Sequence, residues 1–64
     1  MKFKLKELRE AAGLTQKEAA IKIGVVQSAI SMWETGESFP RTELLQIIAR
    51  VYNCTISKLF DTEA

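Results

Sequence analysis

Thr15-Gln16-Lys17-Glu18-Ala19-Ala20-Ile21-Lys22-Ile23-Gly24, then Val25, then Val26-Gln27-Ser28-Ala29-Ile30-Ser31-Met32-Trp33-Glu34-Thr35-Gly36, is the stretch that decides the fold. Thr15 followed by Glu18 reads as a capping box, with the Thr15 hydroxyl on a first-turn N–H and Glu18 reaching back to the cap. A helix therefore starts there. Ala19, Ala20 and Ile23 share one face of it, and Gly24 ends it because only glycine enters a left-handed reversal without a Cβ penalty. The next helix begins almost at once and is predicted from about Val26 to Thr35, before Gly36 and then Pro40 break the pattern.

Working outward, Leu5, Leu8 and Ala12 recur at helical spacing and Gly13 supplies a stop, which predicts a first helix from about Phe3 to Ala12. On the other side, Leu44, Leu45, Ile48, Val51 and Tyr52 mark the apolar face of a fourth helix. Thr55 is placed to cap a short fifth helix carrying Ile56, Leu59 and Phe60. No period-two pattern, internal repeat or low-complexity tract competes. The expected architecture is all-α, five helices packed as one domain over residues 1–64, with the decisive pair at about 15–35.

Composition narrows the chemistry. A chain of 64 residues, 47% hydrophobic and 27% charged, has material for one core and no room for two. There is no His, and Cys54 has no second thiol for a disulfide or a metal site, so no cofactor or metal is expected. Cys54 reads as a small buried hydrophobe, compatible with a reducing cytoplasm. The carboxylates Glu7, Glu10, Glu18 and Glu43 are spread over three helices with no base or metal ligand nearby, which argues against an enzyme. No signal-length or membrane-length apolar run exists. The soon-reached end after Phe60 leaves no expected space for an effector pocket.

The third helix has two unlike sides. At about 100° per residue, Val26, Ala29, Ile30 and Trp33 cluster as anchors, while Gln27, Ser28, Ser31, Met32 and Thr35 fill the opposite arc. That presented arc is uncharged. Compact side chains of this kind suit close approach to base edges in a DNA major groove: Gln27 matches the acceptor and donor of adenine, Ser28 bonds several bases, and Met32 packs on a thymine methyl. By periodicity alone, a neutral solvent face fits as well. The net charge of +1 supplies little general attraction to phosphates.

The string Leu8-Arg9, Gly13-Leu14-Thr15-Gln16, Ala20, Ile23-Gly24-Val25, Gln27-Ser28, Ile30-Ser31 and Trp33-Glu34 resembles the lambda-repressor-like helix-turn-helix family of Cro and XRE type. The segment Pro40 to Phe60 is similar to that family's fourth and fifth helices. The resemblance implies a DNA-binding transcriptional regulator in which Val26, Gln27, Ser28 and Met32 face base edges. It implies a phosphate contact for Gln16, and with so few bases near the third helix the other phosphate contacts are expected from Lys17, Ser31, Arg41 and backbone N–H groups, with help from Lys2, Lys4 or Lys6. It also implies a structural ion pair between Arg9 and Glu34, and Trp33 as a core anchor.

Three positions depart from the family pattern: Val26 replaces a capping Ser or Thr, Met32 a basic residue, and Glu37 a basic loop residue. Val25 to Pro40 contains no Lys or Arg, which excludes an arginine-to-guanine contact there. The expected partner is an A·T-leaning palindromic duplex bound by a homodimer, with Tyr52 to Phe60 near its interface, and a shallow salt dependence. The economical function is a Cro-like repressor. The alternative is a protein-interaction or antitoxin-like module, favoured by Ile21, Met32 and Phe39 as exposed apolar residues.

Overall fold

In a computed structural model of the chain, the backbone is described over residues 2–61 and the side chains over residues 4–59. The order is β1 (Lys2–Phe3), α1 (Leu5–Ala11), α2 (Gln16–Ile23), α3 (Gln27–Thr35), α4 (Thr42–Val51), a 3-10 turn (Ile56–Leu59) and β2 (Phe60–Asp61). The predicted side chains Lys2 and Phe60 lie outside the described set, as do residues 1 and 62–64.

The capping box forms as the sequence requires. Thr15 Oγ1 accepts from the Glu18 N–H at 3.1 Å, and the Thr15 N–H donates to Glu18 Oε1 at 2.9 Å. α2 then buries Ala19, Ala20 and Ile23, whose small or single-branched side chains let α3 and α4 pack against it. Gly24 closes the helix at φ +92°, and its N–H donates to the Ala20 carbonyl at 2.8 Å. A Cβ there would meet no atom within 4 Å, so the demand for glycine is conformational and not steric.

One core gathers Leu5 from α1, Ala19, Ala20 and Ile23 from α2, Ile30 and Trp33 from α3, Ile48, Ala49 and Tyr52 around α4, and Leu59 from the last turn. Leu8, Leu44, Leu45 and Val51 pack against it partly buried, which matches the faces read from the sequence. Cys54 is half-buried against the same core, and burial pushes its thiol pKa up.

Three expectations are corrected. The fifth helix is a single 3-10 turn, because four residues cannot offset the cost of nucleating an α-helix. Its Ile56 is exposed and Leu59 alone is buried. The all-α class stands, but the first helix does not reach Phe3, because β1 and β2 pair antiparallel in the register Lys2 to Asp61 and Phe3 to Phe60, and the Lys4 N–H extends the ribbon to the Leu59 carbonyl at 3.0 Å. Phe3 therefore lies in a strand, and α1 starts at Leu5. Finally, α3 starts at Gln27, with Val26 as its extended N-cap at φ −78°, ψ 153°. Val26 is 67% exposed and is not an anchor, since a residue outside the helix does not follow the helical wheel.

Candidate nucleic-acid interface

α3 is fixed from beneath by Ile30, fully buried, and Trp33, 7% exposed. Ala29 is partly buried beside them. On its other side Gln27, Ser28, Met32 and Thr35 are exposed, and Ser31 is half-buried. Thr35 Oγ1 turns back to donate to the Met32 carbonyl at 3.2 Å, which leaves Gln27, Ser28 and Met32 as the outward groups. The face carries no acid or base between Gln27 and Trp33.

The start of α3 is open. Val26 has no side-chain cap to give, so the first-turn N–H groups of the helix receive no side-chain acceptor. Arg41, the exposed N-cap of α4, is brought beside this end: Val25, Val26, Ala29, Trp33, Phe39, Pro40, Arg41, Glu43 and Leu44 line one shallow groove. Lys17 is exposed on the first turn of α2. Gln16 lies at the other end of the face, where its Nε2 donates to Glu34 Oε1 at 2.9 Å.

Glu34 is the pivot of the site's underside. Arg9 Nε donates to Glu34 Oε2 at 2.6 Å and Arg9 Nη2 to Oε1 at 3.2 Å, so the pair implied by the resemblance is present and joins α1 to α3. Arg9 Nη1 also donates to the Leu14 carbonyl at 2.8 Å, tying down the loop before α2. Both side chains are almost fully buried, and the hydrogen bond to Glu34 raises the Arg9 pKa against the opposing effect of burial. Close by, burial first and the Glu34 charge second push the Tyr52 hydroxyl up to about 12. That hydroxyl has no hydrogen-bond partner among the described residues.

The sequence marks Gln16 as a contact but carries no sign of its tether to Glu34. No local pattern reports a bond between residues 18 apart. No group of His, Cys, Asp or Glu among the described residues is arranged to hold a metal ion, and no helix among them is long and apolar enough to cross a membrane.

Two short helices joined through a left-handed glycine, the second with a buried underside and a small uncharged outer face, define a helix-turn-helix domain. The chain belongs to the helix-turn-helix family of Cro/C1 and XRE type, whose family model matches residues 5–59. It is a DNA-binding domain of that regulator family, which is non-enzymatic. A transcriptional activator, BcrR of Enterococcus faecalis, is 38% identical over 60 residues, 94% of this chain and 29% of the relative. An uncharacterised helix-turn-helix transcriptional regulator of Archaeoglobus fulgidus is 40% identical over 60 residues, 94% of this chain and 86% of its own length. The antitoxin PezA of Streptococcus pneumoniae is 39% identical over 49 residues, 77% of this chain and 31% of the relative. The chain thus spans less than a third of the activator and most of the archaeal regulator.

Proposed function

We propose that this chain, as a single domain over residues 1–64, reads duplex DNA sequence-specifically by laying α3 in the major groove, and acts as a cytoplasmic Cro-like repressor. One observation carries the reading: Gln27, Ser28 and Met32 are exposed on an uncharged face whose opposite side, Ile30 and Trp33, is locked in the core. The locked underside lets the helix present these groups to base edges without reorganising its backbone. Val26 adds an exposed apolar contact for a thymine methyl or sugar. Gln16, Lys17, Ser31 and Arg41 hold the phosphates on either side. Repression needs only occupancy of an operator, so it asks nothing more of a domain this small.

So few base contacts gain specificity by doubling, with two copies on half-sites about one helical turn apart. The contacts available favour an A·T-leaning palindrome. With few cations near α3, the slope of log affinity against log salt stays shallower than about −8, which would require roughly nine neutralised phosphates.

A second reading is favoured by exposed apolar side chains, Ile21 at 71% and Phe39 at 62%, and by the similarity to a protein named as an antitoxin. In it the domain docks a protein. Titration of wild type and a Gln27→Ala variant against a randomised duplex pool at low and moderate salt separates the two. Enrichment of a short A·T-leaning palindrome that collapses with Gln27→Ala supports the DNA reading through α3. Failure to enrich any duplex at low salt overturns it in favour of the protein-docking module.

A further inference from the structure

The Glu34 carboxylate accepts three bonds, two from Arg9 and one from Gln16 Nε2. A carboxylate only accepts, so the Gln16 amide must turn its nitrogen inward, toward Glu34. One N–H of that nitrogen is then used, and the second N–H stays available from a side chain that is only half-buried. Arg9 neutralises Glu34 within the same cluster, so the anchor brings no uncompensated negative charge toward a polyanion. The Arg9 bond to the Leu14 carbonyl holds the backbone two residues ahead of Gln16. The Gln16 amide is thereby tethered to α3 through Glu34, which Arg9 in turn holds from α1.

We infer that Glu34 is a positioning residue which, charge-balanced by Arg9, fixes the Gln16 amide so that its remaining N–H is presented to a DNA phosphate. This rests on the phosphate contact proposed above for Gln16. A glutamine that must be frozen on contact loses rotamer freedom worth up to roughly tenfold in affinity, and the tether removes that loss before DNA arrives. The arrangement assigns an acidic residue, on the face of it hostile to DNA, a role in binding it.

The test uses a mixed-sequence duplex at low salt, because a phosphate contact does not depend on base sequence. Three variants are compared with wild type: Gln16→Ala; Arg9→Met with Glu34→Leu, an apolar replacement of the kind that preserves folds when both partners of a buried pair go together; and all three changes combined. Thermal unfolding establishes that each is folded at the titration temperature. The expected result is a loss of about fivefold for Gln16→Ala, a similar loss for the pair replacement, and no larger loss for the combination. Losses that multiply to about twenty-five-fold overturn the positioning role while leaving the Gln16 contact standing. If Gln16→Ala binds like wild type, the contact and the inference both fall, although DNA binding stands. Absence of wild-type binding overturns the functional reading itself. Should the pair replacement not fold, side-chain amide relaxation of wild-type Gln16 free of DNA decides: an amide as rigid as the backbone supports the tether, and one as mobile as that of exposed Gln27 overturns it.

Discussion

Thr15 and Val26 occupy the same structural place, the N-cap, at the starts of α2 and α3, and they treat it differently. Thr15 closes its helix with a reciprocal pair of bonds to Glu18, while Val26 offers only an exposed isopropyl group and leaves the first turn of α3 open. The supporting helix is thus secured by its own local sequence. α3 is secured by what lies beneath it. A start occupied by its own side chain would have less to offer a partner, whereas an uncapped start keeps N–H groups available.

If α3 is held from below, its largest sensitivity lies there. Ile30→Ala should destabilise the domain by about 2–5 kcal/mol in chemical denaturation, because a fully buried branched side chain is lost and a cavity remains. A loss below about 1 kcal/mol would mean that something other than burial fixes α3. The same underside carries a pH signature through Tyr52. Folded Tyr52 keeps its proton to about 12, whereas the unfolded chain releases it near 10, so stability falls as pH rises through that window. Tyr52→Phe should remove that part of the alkaline loss, seen as a flatter dependence of unfolding midpoint on pH than in wild type.

The two caps themselves can be exchanged. Thr15→Ala should cost about 1 kcal/mol by thermal or denaturant unfolding, since one orphan N–H loses its acceptor. Val26→Thr should do the reverse, stabilising by about 0.5–1 kcal/mol as a new hydroxyl caps α3. Equal indifference at both positions would erase the contrast between the helices. Smallest of all, Met32→Ala should shift stability by no more than about 0.5 kcal/mol, while weakening DNA binding in the same titrations.

The features legible in the sequence were those with short-range signatures. Thr15 and Glu18 are three residues apart, Gly24 announces its own reversal, and the faces of α2 and α4 repeat every three or four residues. Arg9 and Glu34, 25 residues apart, were legible only through resemblance to a family. Val26 falls among the anchors only when a helical wheel is extended one residue beyond the helix. The β1–β2 ribbon left no pattern at all: two-residue strands are too short to alternate, and their pairing joins residues almost a whole chain apart. Gln16, too, is singled out only through that resemblance, while its orientation depends on a carboxylate that arrives only when α1, α2 and α3 have packed.

That ribbon has an architectural consequence. Residues 2 and 61 are opposite one another, so polypeptide joined before the first and polypeptide joined after the second depart from one place on the surface. The domain can therefore be spliced into a host protein's surface loop as a cassette, entering and leaving through neighbouring points without stretching the host or unthreading its own core.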